Sequence, residues 1–171
     1  MNEGSNNVTK LLASDGANLG TFGVGTSPVA IAFDGTNMWV TNACSANVSK
    51  LNLSGTNLGT FGGTSPEGIA FDGTNMWVTN LGSANVTKLR LSGATLGTFA
   101  VGNSPLGFAF DETHMWVANH GNKSITELSL AGAKVGAFTV GNDPCGVALD
   151  GTTIWVANQF FCCFAGTLSE L

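Results

Sequence analysis

Charge is scarce in this sequence and long apolar runs are absent, and each shortage excludes a class of protein. Only 6 of the 171 residues are lysine or arginine, and they are spread singly. No basic stripe exists for a phosphate backbone, so nucleic acid is not an expected partner. No apolar run approaches the roughly 18 residues of a membrane-spanning helix, so no membrane insertion is expected. The first five residues lack the charged-then-apolar order of a signal peptide.

Apolar residues and glycine dominate what is present. Hydrophobic residues make up 43% of the chain, too much for a disordered protein, and the length allows one domain with a sizeable core. The 24 glycines fall between short apolar runs. This pattern predicts many tight turns and therefore many short strands.

One segment of the sequence recurs four times. FDGTNMWVTN at residues 33–42 returns letter for letter at 71–80, and with changes at 110–119 and 149–158. The four tryptophans are spaced by 38, 39 and 39 residues, as are the four prolines. Each unit divides into four short strands, and units of this size are typical of β-propeller blades. The sequence therefore predicts an all-β propeller, with the recurring tryptophans and phenylalanines packed between blades.

The repeats begin and end out of phase with the blades. The predicted units are a half-blade at 7–23, blades at 28–62, 66–100 and 105–139, and a partial blade at 144–171. The first unit supplies third and fourth strands, and the last supplies a first strand, a second strand and part of a third. Bending four such blades into a ring would open gaps between them. We therefore expect a homodimer with eight blades in one ring. A closed four-bladed monomer and higher homo-oligomers, including head-to-tail filaments, are the alternatives.

Two of these strands carry a resemblance to a known repeat. SPEGIAFDG at 65–73, followed by MWVTN at 76–80, resembles the YVTN-type propeller repeat, with tryptophan in place of tyrosine. The resemblance extends over nearly the whole chain, and virginiamycin B lyase and gluconolactonase-like propellers are more distant relatives in architecture. It implies a propeller fold and an extracellular or cell-surface location, but no particular activity.

One face of the predicted propeller is the candidate binding face. The loops between second and third strands share this face with the loops that enter the first strands, and they vary most among the repeats. We predict a non-enzymatic binding or assembly module with a protein or glycan ligand, although drift of unconstrained loops would give the same pattern. The candidate binding residues are Cys44, Glu67, Leu81, His120, Asn122, Gln159, Phe160 and Phe161. The apolar loop at 160–164 is expected to contact a ligand or to seal the ring.

All four cysteines map to this same face. A disulfide from Cys145 to Cys162 or Cys163 is expected in an oxidising compartment, and four free thiols are the alternative. Cys44 lies in the equivalent loop of the first full blade. No C-x-x-C spacing is present, so no zinc site is expected.

No complete catalytic site is visible in the sequence. His114 replaces a turn asparagine and is expected at the surface, and His120 has no carboxylate or nucleophile beside it in the sequence. Two sets of polar residues recur and are expected to have structural roles in turns and loops: Asp34, Asp72, Asp111 and Asp150, and Asn42, Asn80, Asn119 and Asn158.

No metal or other cofactor is expected. The resemblance to gluconolactonase-like propellers nevertheless leaves one arrangement open, in which Glu67 and the recurring asparagines hold a divalent cation at the axis. A metal-dependent enzyme of lyase or lactonase type is therefore the alternative function.

Overall fold

The computed structural model describes residues 3–159 and contains sixteen strands in that range. The strands are β1 (Asn7–Leu11), β2 (Asn18–Gly23), β3 (Pro28–Phe33), β4 (Met38–Asn42), β5 (Asn47–Leu51), β6 (Asn57–Gly62), β7 (Pro66–Phe71), β8 (Asn75–Asn80), β9 (Asn85–Arg90), β10 (Thr95–Ala100), β11 (Pro105–Phe110), β12 (His114–Asn119), β13 (Ser124–Ser129), β14 (Lys134–Thr139), β15 (Pro144–Leu149) and β16 (Ile154–Asn158). The helical residues of this part of the chain form single 3₁₀ turns at Glu3–Ser5, Leu81–Ser83 and His120–Asn122. None of these helices has the length and apolar character to cross a membrane.

The strands form five antiparallel sheets. Three sheets have four strands each and are termed the first blade (β3–β6), the second blade (β7–β10) and the third blade (β11–β14). Two sheets have two strands each and are termed the N-terminal half-blade (β1 and β2) and the C-terminal half-blade (β15 and β16). The prediction of an all-β fold built from four-stranded units is confirmed.

The sheets stand side by side, and the core lies between them. The first strands of successive sheets are neighbours, β3 with β7, β7 with β11, and β11 with β15. Because side chains alternate along a strand, each blade presents one apolar face to each of its neighbours. In the first cluster Trp39 and Val48 of the first blade pack on Met76, Val78 and Leu89 of the second. The second and third blades repeat this contact around Trp77, which is fully buried.

An aspartate in the turn between the first and second strands ties the strands of each blade together. In the second blade Asp72 Oδ1 accepts hydrogen bonds from the backbone N–H groups of Thr74 (2.8 Å) and Asn75 (2.6 Å), which closes the turn between β7 and β8. Its Oδ2 accepts a hydrogen bond from the indole N–H of Trp77 at 2.7 Å. The Nζ atom of Lys88 lies 3.4 Å from this oxygen and 4.7 Å from the centroid of the Trp77 ring.

The same hydrogen bonds recur at every turn of this type. Tryptophan Nε1 lies 2.7 Å from aspartate Oδ2 in the pairs Trp39–Asp34, Trp116–Asp111 and Trp155–Asp150 as well. The predicted turn role of the four aspartates is therefore confirmed, and it includes a side-chain bond to the second strand. In the three full blades the indole ring also packs on a phenylalanine of the fourth strand, in the pairs Trp39–Phe61, Trp77–Phe99 and Trp116–Phe138.

Hydrogen bonds keep the turn aspartates ionised. Burial acts to raise the pKa of Asp72, but the bonds from Trp77, Asn75 and Thr74 and the charge of Lys88 outweigh it and hold that pKa below its ordinary value. The pKa of Asp34 is lowered in the same way. Such a carboxylate stabilises the fold fully above its unfolded pKa of about 4, and this contribution is lost as the pH falls through the lower, folded pKa.

The tryptophans are not all in the core. Trp39 and Trp77 are fully buried, as predicted, but the Trp155 side chain in the C-terminal half-blade is 63% exposed. Within residues 3–159 of a single chain, Trp155 therefore does not occupy the predicted core position. The reason is that the C-terminal half-blade has only two strands there, so no third or fourth strand covers the ring.

Replacing one turn aspartate tests its contribution to stability. We expect Asp72→Asn to lower the free energy of unfolding at pH 7 by about 1–3 kcal/mol, because the amide presents an N–H where a donor already points. We also expect a smaller loss of stability in the variant than in the wild type between pH 5 and pH 3. Urea unfolding followed by tryptophan fluorescence measures both effects.

Asp15→Asn is the matched control for this experiment. Asp15 is exposed and its side chain accepts one turn hydrogen bond, from the N–H of Ala17 at 2.8 Å. We expect this substitution to change the stability by less than about 0.5 kcal/mol. Equal losses in the two variants would contradict the role assigned to Asp72.

Candidate functional site

The loops before the first strands and after the second strands lie on one face. They are joined by a repeated backbone hydrogen bond, from Leu81 N to Ser65 O (3.0 Å) in the second blade and from His120 N to Ser104 O (3.0 Å) in the third. We term this surface the loop face, defined by residues 24–27, 43–46, 63–65, 81–84, 101–104, 120–123, 141–143 and 159. The predicted sharing of one face by these loops is confirmed.

The backbone of the loop face adopts the left-handed conformation at repeated positions. Each residue before a strand-opening proline has a positive φ: Ser27 (55°), Ser65 (46°), Ser104 (52°) and Asp143 (51°). A second set follows the loops after the second strands: Ala46, Ala84 and Lys123, with φ between 50° and 51°. Non-glycine residues rarely take this conformation, and it persists only where the surroundings fix it. The backbone of the loop face is therefore fixed in one conformation.

Buried asparagines supply part of that constraint. Asn80 Oδ1 accepts a hydrogen bond from the backbone N–H of Thr64 (3.1 Å), while its Nδ2 donates to Asn85 Oδ1 (2.8 Å) and Thr87 Oγ1 (2.9 Å). Asn119 is bonded in the same pattern in the third blade. The prediction that these amides hold neighbouring loops is confirmed for Asn80 and Asn119. It does not hold for Asn42, whose Oδ1 is buried without a hydrogen-bond partner among residues 3–159, or for Asn158, whose Nδ2 donates to the carbonyl oxygen of Val156 in its own strand. Across residues 3–159 no group of three or more His, Cys, Asp or Glu side chains is placed to hold a metal ion.

Several predicted binding residues lie on the loop face. Cys44 is exposed, Leu81 and His120 are half-buried, and Gln159 is exposed. The side chain of Asn122 accepts a hydrogen bond from the backbone of Asn103, so it also shapes the neighbouring loop. Phe160 and Phe161, with the rest of the apolar loop at 160–164, lie outside the described residues.

Glu67 is placed between blades. It is half-buried in β7, and its carbonyl oxygen accepts a hydrogen bond from Thr41 Oγ1 of the first blade at 2.7 Å. Thr79 makes the equivalent bond to Leu106 of the third blade at 2.9 Å. The backbone of Glu67 thus takes part in the contact that keeps the first strands side by side.

The structure brings a carboxylate to His120 that the sequence did not indicate. Nε2 of His120 lies 3.8 Å from Asp143 Oδ1, and this nitrogen is buried without a hydrogen-bond partner among residues 3–159. The only signal in the sequence is that aspartate replaces serine before the last proline. His114, expected at the surface, is half-buried, with its Nδ1 3.4 Å from Glu127 Oε1 and 3.8 Å from Asp111 Oδ2.

The two described cysteines are not bonded to each other. Cys44 is exposed, and Cys145 is half-buried with its Sγ 3.5 Å from the carbonyl oxygen of Ala157. The expected partners of Cys145, Cys162 and Cys163, lie outside the described residues. The disulfide stays a prediction.

Solved structures share this architecture. No family model matches the chain, and no curated protein matches it. A streptogramin B lyase superimposes with a TM-score of 0.81 at 19% identity over 92% of this chain. Virginiamycin B lyase from Staphylococcus aureus, in a structure with quinupristin, gives 0.78 at 18% over 91%. A candidate 6-phosphogluconolactonase from Bacteroides uniformis gives 0.74 at 15% over 90%.

The likeness to these structures establishes the fold and not an activity. The chain covers 57% of each of the three structures, so it spans little more than half their length. Together with the repeated four-stranded sheets, the superpositions show that the chain has a β-propeller architecture similar to that of virginiamycin B lyase.

Removing one loop-holding amide tests the rigidity of the loop face. We expect Asn80→Ala to speed hydrogen exchange at Thr64 and in the 81–84 loop by about tenfold, because the backbone N–H of Thr64 loses its acceptor. Asn57→Ala is the control, since the Asn57 side chain accepts a bond from the N–H of Gly59 at the exposed start of β6. Unchanged exchange around the 81–84 loop in Asn80→Ala would contradict the assigned role.

Proposed function

We propose that the chain is a non-enzymatic β-propeller binding module whose ligand contacts the loop face. One observation carries the proposal: in the four described units that have a second strand, the same backbone position is bonded in the same way and presents four different side chains. These are Ala43, Leu81, His120 and Gln159, and each donates its N–H to the residue before the strand-opening proline at 2.9–3.0 Å. A constant scaffold with variable side chains is the arrangement expected of a recognition surface.

The fixed backbone of the loop face lowers the entropic cost of binding a ligand through these side chains. Binding costs less when the contacting loops are already ordered, because their conformational entropy was lost during folding. The amides of Asn80 and Asn119 and the repeated backbone bonds provide that order here. Aliphatic, imidazole and amide side chains at the same position of successive units suit a neutral polar ligand, such as a glycan or a peptide segment.

An enzyme of lyase or lactonase type is the second candidate. The observation that favours it is the pair of His120 and Asp143, because a histidine beside a carboxylate is the usual composition of a general base. Lyases and a candidate lactonase also occur among the structures with this fold. The distance of 3.8 Å between the two side chains is longer than a hydrogen bond.

Amide chemical shifts distinguish the two functions. We titrate the full chain with neutral oligosaccharides and with short uncharged peptides, in the presence and absence of EDTA. The proposal expects shifts confined to the 43–46, 81–84 and 120–123 loops and unchanged by EDTA. Leu81→Ser is expected to weaken binding by about tenfold, since a partly buried apolar contact is lost.

Leu96→Ser is the control, because Leu96 is 43% exposed on β10 and outside the loop face. Binding that disappears with EDTA, or turnover of a lactone that His120→Ala abolishes, would replace the proposal with the enzymatic alternative. A loop face that shifts with none of these probes would overturn the neutral-ligand assignment.

A further inference from the structure

The contact between the N-terminal half-blade and the first blade contains a cavity of about 160 Å³. Its lining includes Val8, Lys10, Phe22, Met38 and Leu51. The residues at the same repeat positions one blade later are Val48, Lys50, Phe61, Met76 and Leu89, and Trp39 occupies the space among them. The cavity therefore lies where the other interfaces hold a tryptophan.

The missing tryptophan belongs to a second strand, which the N-terminal half-blade lacks. The C-terminal half-blade has the opposite composition, with a first and a second strand. Its Trp155 occupies the repeat position of Trp39 and Trp77, and it is 63% exposed while they are fully buried. Each half-blade thus contains the side chains that the other lacks.

A second cavity shows the same complementarity in the reverse direction. It lies between the third blade and the C-terminal half-blade, and Trp116, Ile125, Phe138, Ile154 and Val156 are among its lining residues. At the other interfaces a leucine of the third strand packs at this place, Leu89 in one case and Leu128 in the other. The corresponding leucine of the N-terminal half-blade is Leu11, which is 56% exposed.

The charges of the two half-blades are complementary as well. Lys10 Nζ donates a hydrogen bond to the carbonyl oxygen of Leu53 in the first blade at 2.9 Å. Lys50 and Lys88 make the equivalent bonds to carbonyl oxygens of the following blade, those of Leu91 at 2.5 Å and Leu130 at 2.6 Å. Lys50 and Lys88 also lie over a tryptophan ring, at 4.8 and 4.7 Å, and beside its aspartate. Lys10 is already in position for such a contact, and Trp155 with Asp150 is the pair that would complete it.

We propose that the C-terminal half-blade of one copy joins the N-terminal half-blade of a second copy to form a complete four-stranded blade. Trp155 of one copy enters the cavity beside Phe22 and Lys10 of the other, and Leu11 enters the cavity beside Trp116. The register follows β4 and β5, in which Trp39 lies opposite Lys50 and Val40 opposite Ser49. Strand β16 therefore pairs with β1 of the second copy, with Trp155 opposite Lys10 and Val156 opposite Thr9.

Two such junctions related by a two-fold axis close one ring. Each copy gives one half-blade to each junction, so both pairs of unfilled cavities are occupied at once. A second copy is favoured over self-closure because the propellers on which this chain superimposes are longer than one copy, which covers 57% of each. This inference goes beyond the proposed function and does not depend on the ligand of the loop face.

The mass of the full chain in solution is the first test. Light scattering on a sizing column is expected to give twice the chain mass of 17.4 kDa, independent of reductant. Trp155→Glu is expected to weaken the dimer by at least about 100-fold, because an apolar ring is replaced by a charge at both junctions. Val135→Ser is the control, since Val135 is 54% exposed on β14 and outside both junctions.

Cysteine cross-linking tests the register and does not depend on the Trp155 variant. In a chain whose native cysteines are replaced by serine, Thr9→Cys in one copy and Val156→Cys in another are expected to form a disulfide when mixed. Directly opposed residues on paired strands have the Cα separation that a disulfide needs. Thr21→Cys is the off-register control, because Thr21 pairs with Thr9 within the N-terminal half-blade.

Three outcomes would overturn the proposal. A mass of one chain with an intramolecular cross-link in the Thr9→Cys, Val156→Cys double variant would show a ring closed by a single copy. A mass of one chain without any cross-link would show that another segment, such as residues 160–171, covers β16. A dimer whose mass is unaffected by Trp155→Glu, without a cross-link in the mixture, would place the contact elsewhere.

Discussion

The bond between a turn aspartate and the indole N–H of a tryptophan five residues later organises each unit of this protein. One carboxylate oxygen closes the turn between the first and second strands, and the other fixes the ring that becomes the core of the interface. The ring in turn supports a lysine of the third strand and a phenylalanine of the fourth. A single side chain such as Asp72 therefore connects the local turn, the sheet and the contact between blades.

This arrangement separates the constant and the variable parts of the protein. The aspartate turns lie at one end of the strands and the asparagine-bonded loops lie at the other. Because core packing depends on the first end and on the strands, side chains such as Leu81 and His120 can differ without altering the scaffold. The residues that stabilise the blades are thus different from those that vary on the loop face.

Repetition made much of the fold predictable from the sequence. The spacing of Trp39 and its equivalents, with the proline before each first strand, predicted four-stranded units, and the loop face followed from their antiparallel order. The contact of His120 with Asp143 was not predictable, because it joins two loops whose distance depends on tertiary structure. Nor was the positive φ of Ser65, since serine rarely adopts that conformation without outside constraint.

The charge reversal at Glu127 has a consequence for the order of the blades. Glu127 lies opposite Trp116, where the other described third strands have Lys10, Lys50 and Lys88. His114 stands beside Glu127, where the first and second blades have an asparagine. Near-identical units are prone to exchange strands with the wrong neighbour during folding. If a third strand with a glutamate paired with β16, its carboxylate would lie next to that of Asp150 and the two negative charges would repel each other. Lys10 at the same place would instead be attracted to Asp150. The charge at this one repeat position thus distinguishes the third blade from the other described units, and it would disfavour the pairing of β13 with β16.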